Sequence, residues 1–133
     1  MLNIRLVVAA ALVDIDGRVL LTRRPKGKHL EYLWEFPGGK IEQGETPKEA
    51  VIRELKEELG ISTEESCLAP ISFNSHDYLD FHLVLLLYVC RVWCGEPRGI
   101  EGQILKWVPP LKLKEFPMPP ADVPLVAAIR DLL

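Results

Sequence analysis

Apolar residues run almost without a break from Leu6 to Val13 and stop at Asp14. A run of that length predicts a strand buried on both faces, which we place over residues 3–13. Asp16-Gly17 is a hairpin turn signal, and "RVLLTRR" (18–24) reads as the returning strand. "PKGKHLEY" is a polar loop. "LWEF" (33–36) reads as a short strand running into a Pro37-Gly38-Gly39 turn whose glycines are free to take positive φ. The period then changes. Val51, Ile52, Leu55 and Leu59 fall in one stripe at about 100° per residue, which predicts a helix over Pro47–Leu59. Thr46 is its N-cap, with Pro47 at N1 and Glu49 completing a capping box, and Gly60 ends it. Two long strands follow, 68–77 and 81–93. "GEPRGIEGQ" (95–103) is a loop, "ILKWV" (104–108) a strand and "LKLKEF" a short helical turn. A second helix opens at about Asp122, with that aspartate as its cap. With no repeat and no linker, the order predicts one domain over residues 1–133 of the α/β (α+β) class, a mixed β-sheet layered between helices.

Composition narrows the function. At 48% hydrophobic and 26% charged residues, the 133-residue chain is globular and large enough to bury a core without staples. A net charge of −3 excludes the basic footprint of a protein that binds nucleic-acid polymers, but not a small anionic ligand held by a few groups or by metal. Cys67, Cys90 and Cys94 are odd in number and form no CxxC pair. We read them as reduced thiols of a cytoplasmic protein. The first apolar run is too short and lacks the cleavage region of a signal peptide. "FHLVLLLYVCRVW" is too short to span a bilayer, and Arg91 interrupts it, so no membrane contact is expected. No segment calls for an obligate protein partner.

The chemistry sits on the first helix. Glu54, Glu57 and Glu58 lie at i, i+3 and i+4, with Glu58 bordering the apolar stripe and Glu57 farthest from it. Each like-charge pair at that spacing costs the helix a few tenths of a kcal/mol, and acids are poorly placed near a helix C-terminus. Arg53 and Lys56 offset part of this, so a solvated acidic face is one reading. The other is a cluster of hard oxygen ligands. Such a cluster suits Mg²⁺, which binds a few carboxylates together with substrate phosphates, and the metal relieves the repulsion. Glu42 and Glu45, between the glycine pair and the helix, add to that second reading.

The spacing resembles the Nudix box, G-x5-E-x7-R-E-U-x-E-E-x-G-U with U aliphatic. Here Gly39, Glu45, Arg53, Glu54, Leu55, Glu57, Glu58, Gly60 and Ile61 fill all nine defined positions over 23 residues. "WEFPGGKIEQGETP", "GEP…EGQ" and "PPAD-x-P-L" are similar to the MutT-type branch, and the likeness covers nearly the whole chain. The resemblance implies an α/β/α sandwich. It also implies hydrolysis of a nucleoside triphosphate to monophosphate and pyrophosphate with Mg²⁺ or Mn²⁺. The best-known task of the branch is removal of 8-oxo-dGTP from the nucleotide pool.

Carried over by matching position, the resemblance makes Glu54, Glu57, Glu58, Glu101 and the Gly38 carbonyl metal ligands. Glu54 is the first choice for activating water, before Glu57 and then Glu101. Arg53 and Glu45 orient loop and helix. Arg24 matches a phosphate-contacting arginine, and Phe36 and Tyr78 match residues that flank the base. His29 lies near the substrate end of its loop. His76, His82, Trp34, Trp93 and Trp107 read as structural. Two positions depart from the branch. Phe81 stands where it has an arginine, and Asp122 where it has a base-reading asparagine, as in relatives that hydrolyse CTP or modified dCTP. A CTP or modified-dCTP pyrophosphohydrolase is therefore the alternative within the class. A non-catalytic nucleotide-sensing Nudix module is the alternative outside it, against which the complete set of box glutamates argues.

Overall fold

A computed structural model describes residues 2–27 and 32–133; His29 lies outside the described residues. The strands are β1 (Ile4–Leu12), β2 (Val19–Arg23), β3 (Trp34–Glu35), β4 (Gly38–Lys40), β5 (Leu68–Asp77), β6 (His82–Cys90) and β7 (Ile104–Val108). The α-helices are α1 (Pro47–Leu59) and α2 (Val123–Leu132), and Pro110–Glu115 forms the short helical turn as a 3₁₀ segment. One sheet has the order β4-β1-β6-β5, with β1 and β6 parallel and the other pairs antiparallel. A second, β3-β2-β7, is antiparallel.

β1 explains its own sequence. Val8, Ala10 and Leu12 point to the side packed by Val51, Leu55 and Leu59 of α1. Ala9 and Ala11 point to the other side, with Leu125, Val126 and Ile129 of α2. From Val8 on, alternate residues are buried against opposite layers and no position is left for a polar side chain. Ile4 and Leu6 at the start of the strand are exposed, so the burial expected over residues 3–13 holds only for its second half. The helices thus sandwich a mixed sheet, as expected. On α1 the buried residues are Ala50, Val51, Leu55 and Leu59, while Ile52 is only half-buried. Both arms of the Thr46–Glu49 capping box are made, and Gly60 ends the helix in the left-handed region (φ 71°).

Two turn readings need correction. Asp16-Gly17 does turn the chain, with Gly17 at φ 78° and an antiparallel Val13–Val19 bridge, but beyond that bridge β1 and β2 run in different sheets and do not pair as a regular hairpin. The Asp14 carboxylate builds this turn by accepting from the Asp16 and Arg18 amides. Nor is Gly38-Gly39 a turn. It is part of β4, antiparallel to β1, and neither residue has positive φ. These glycines serve close approach instead. A Cβ on Gly38 would stand 2.0 Å from the Val8 carbonyl oxygen, and one on Gly39 would stand 2.5 Å from the Glu54 carboxyl carbon. The last long strand also stops at Cys90, short of the expected 93, and Trp93 stacks on Trp107 beside the α1-side core.

Candidate active site

The Arg53 guanidinium ties β4 and the loop that follows it to α1. Its Nε and Nη2 donate to the two Glu45 oxygens at 2.6 and 2.9 Å, and Nη2 also donates to the Lys40 carbonyl at 2.9 Å. Nη1 donates to Glu54 Oε1 at 2.7 Å and to Glu57 Oε2 at 3.2 Å. The bonds to Glu45 are the chief reason that the guanidinium holds its proton even more firmly than usual, and they hold the Glu45 carboxyl below its ordinary range. The Arg53–Glu45 pairing expected from the box is therefore made.

The box glutamates differ sharply in setting. The Glu57 side chain is 56% exposed, whereas that of Glu54 is 14% exposed and packs on Gly39. Burial raises the Glu54 carboxyl, although Arg53 pulls it down. Glu58 accepts from the Gly38 amide at 3.3 Å. Burial pushes its carboxyl up to about 8, helped by the charges of Glu54, Glu35 and Glu101. The carboxylate crowding read from the sequence is thus present, and it converges on Glu58.

A cleft of about 740 Å³ runs beside this cluster. It is lined by Gly38, Glu58, Glu101, Arg24, Phe36, Tyr78 and Asp122, seven of the residues predicted from sequence. Glu54, Glu57 and Arg53 are not among its lining residues; Glu54 packs directly on Gly39, which is. Phe36 is core and cleft wall at once, being 3% exposed. Tyr78 stacks on Phe81, with ring centroids 5.2 Å apart, and His76 meets Tyr78 edge-on. His82 contacts Asp77, its partner where the ends of β5 and β6 pair.

Asp122 is not a helix cap. Its backbone is already helical (φ −83°, ψ −29°), and its side chain caps nothing. The carboxyl is instead buried against the cleft, where it accepts from the Phe36 amide. Burial pushes it up to about 7. The Glu35 charge adds to the rise, while the Phe36 amide and Arg24 oppose it. Glu35 is the functional candidate that sequence reasoning missed. It lines the cleft and forms a two-point ion pair with Arg24, Nε–Oε1 at 3.0 Å and Nη2–Oε2 at 3.1 Å. The available signal was an acid between Trp34 and Phe36 in a short strand. Burial raises the Glu35 carboxyl against the pull of Arg24.

The NUDIX domain family profile matches residues 8–128. The chain is 36% identical over 129 residues to the Escherichia coli K12 8-oxo-dGTP diphosphatase, covering 96% of this chain and 98% of that one. It is 37% identical over 128 residues to the CTP pyrophosphohydrolase of the same organism, covering 94% and 91%. The solution structure of the E. coli ORF135 protein superposes with a TM-score of 0.86 at 32% identity, covering 98% and 91%. The protein belongs to the NUDIX domain family and is a Nudix hydrolase.

Nudix hydrolases generally use a divalent metal, and the donors here suit one. They are hard oxygens, and a cation would relieve the mutual repulsion that helps push the Glu58 carboxyl up. Among the described residues no three such side chains already converge as a finished metal site. Arg53 and the Gly38 amide hold the glutamates by their oxygens instead.

Two outcomes follow from this geometry. Gly39→Ala should fold, since the backbone there is ordinary, but its methyl must displace the Glu54 carboxylate. Activity should fall about tenfold or more with little change in melting temperature, as for loss of a group that orients a ligand. Steady-state kinetics beside thermal unfolding check this. Second, the metal-free protein should lose stability as pH rises from the unfolded Glu58 value of 4.5 to about 8, because over that range the folded state binds the proton more tightly. A divalent cation should reverse that loss and release protons on binding. Melting curves across pH with and without Mg²⁺, and calorimetry in buffers of different ionisation enthalpy, measure both effects.

Proposed function

We propose that this protein is a Mg²⁺-dependent nucleoside triphosphate pyrophosphohydrolase of the cytoplasm. In this reading it acts first on 8-oxo-dGTP, sanitising the nucleotide pool. The observation that carries the reading is the joining of two acidic settings in one cleft. Glu58 is crowded by Glu54, Glu35 and Glu101, and Asp122 is buried against the Phe36 amide. The first setting suits a metal-bound phosphate chain and the second the donor edge of a base. The similarity to an 8-oxo-dGTP diphosphatase over nearly the full length of both chains supports the same choice.

Glu54, Glu57, Glu58, Glu101 and the Gly38 carbonyl would hold the metal. When bound, Mg²⁺ neutralises phosphate charge and acidifies water (Mn²⁺ can substitute). Glu54 takes the proton of the attacking water, with its carboxylate oriented by Arg53 Nη1 at 2.7 Å. The water oxygen bonds to phosphorus, a phosphoanhydride P–O bond breaks, and pyrophosphate and the nucleoside monophosphate leave. Arg24, anchored by Glu35, faces the phosphates, and Phe36 and Tyr78 flank the base.

Cytosine nucleotides, CTP or modified dCTP, are the second reading. They are favoured by an acid at position 122 and by the likeness to a CTP pyrophosphohydrolase. A panel of 8-oxo-dGTP, dGTP, CTP and 5-methyl-dCTP, assayed for pyrophosphate with and without Mg²⁺, tests both. A kcat/KM highest for 8-oxo-dGTP supports the first reading. Preference for CTP or 5-methyl-dCTP replaces it with the second, and no release from any of them overturns both.

A further inference from the structure

Helix α1 ends at Leu59, and the last carbonyls of a helix have no partner within it. The loop before β7 supplies the donors. The Arg98 amide donates to the Leu59 carbonyl at 3.0 Å, and the Ile100 amide donates to the Glu58 carbonyl at 3.1 Å. The Ile100 side chain lies over Gly60, so that a Cβ on Gly60 would stand 2.9 Å from Ile100 Cδ1. The next residue is Glu101. Its amide donates to Gln103 Oε1 at 2.8 Å, and the Gly102 amide closes the turn on the Gly99 carbonyl at 3.0 Å. Gly99 in turn backs on Gln103, where a Cβ would stand 2.1 Å from the Gln103 carbonyl oxygen. The turn that carries Glu101 is therefore fastened to the end of α1 and braced from inside by one side chain.

We propose that Ile100 and Gln103 are positioning residues that hold Glu101 beside Glu58 for metal binding. The proposal rests on the reading of Glu101 as a metal ligand. Ile100 acts by seating the turn on Gly60. Gln103 acts by holding the Glu101 amide, which limits where the carboxylate can swing. Gln103 also lines the cleft, so metal binding is to be measured without nucleotide to separate positioning from substrate contact.

The test is titration of Mn²⁺ followed by electron paramagnetic resonance. The variants are Glu101→Gln, Gln103→Leu, Ile100→Ala, Ile100→Val and the double variants with Glu101→Gln, with folding checked by circular dichroism in EDTA. Gln103→Leu and Ile100→Ala should each weaken Mn²⁺ binding by up to about tenfold. Ile100→Val should restore most of the affinity. Neither substitution should weaken binding further once Glu101 is already Gln. Should Ile100→Ala fail to fold, Gln103→Leu carries the same test. Wild-type affinity in Gln103→Leu, or losses that add in full to that of Glu101→Gln, overturns the proposal and leaves Glu101 a ligand. Unchanged affinity in Glu101→Gln overturns the ligand reading and the proposal with it.

Discussion

Glu54→Gln should lower kcat by on the order of a thousandfold at saturating Mg²⁺ while the protein stays folded. The carboxamide keeps the size of the side chain and keeps an oxygen for Arg53 Nη1. It loses the charge that binds a cation and the basicity that takes a proton from water. Glu57→Gln should also be severe, but less so, because Glu57 is more exposed and meets Arg53 only at 3.2 Å. Glu58→Gln should part the two properties. It removes a buried acid whose ionisation opposes folding, so the metal-free variant should melt higher than the wild type at pH 8 while activity collapses. Single-turnover kinetics with thermal unfolding in EDTA measure all three. Near wild-type turnover in Glu54→Gln would take the role of base away from it.

How much of this was legible depended on the range of the interaction involved. β1 could be read because burial on both faces leaves a local trace, an unbroken apolar run. α1 could be read because its cap, its stop and its stripe lie within a few residues of one another. The glycine pair was misread because a close approach to Val8 and Glu54 leaves the same residues in the sequence as a turn with positive φ. The cap role given to Asp122 fails for a similar reason, although its expected place at the substrate cleft stands. An aspartate before a proline-led helix looks like a cap, and only tertiary structure brings the Phe36 amide to it. Glu35 was hard to single out because its partner Arg24 lies 11 residues away, just past the end of the paired strand β2. The box showed which glutamates crowd together. It did not show that Glu58 lines the cleft while Glu54 packs on Gly39, which follows from how α1 packs against β4.

Asp122→Asn should change both stability and base preference, and pH separates the two effects. The Asp122 carboxyl is raised to about 7 from an unfolded value of 3.8, chiefly by burial, with Glu35 adding to the shift and the Phe36 amide and Arg24 opposing it. Between those values the folded protein binds the proton more tightly than the unfolded chain does. The stability tied to the protonated form is therefore full below about pH 4 and is lost as pH rises through 7. Asparagine carries no such penalty and still offers an oxygen to the Phe36 amide. The variant should be more stable than the wild type at pH 8 by up to roughly 4 kcal/mol, with the gap closing near pH 4. Base reading follows the same proton. Ionised, Asp122 only accepts, from the N1–H and amino group of guanine or the amino group of cytosine; protonated, it also donates to a carbonyl such as O6. The wild-type ratio of kcat/KM for guanine over cytosine nucleotides should thus change as pH passes through about 7. The carboxamide of the Asp122→Asn variant accepts and donates at every pH. Its ratio should therefore be flat and should differ from the wild type at pH 8 by about tenfold, as for one hydrogen bond in a buried site. Competition assays with 8-oxo-dGTP and CTP from pH 6 to 9 read this directly. A wild-type ratio that ignores pH, and that Asp122→Asn leaves unchanged, would assign base reading to other residues of the cleft.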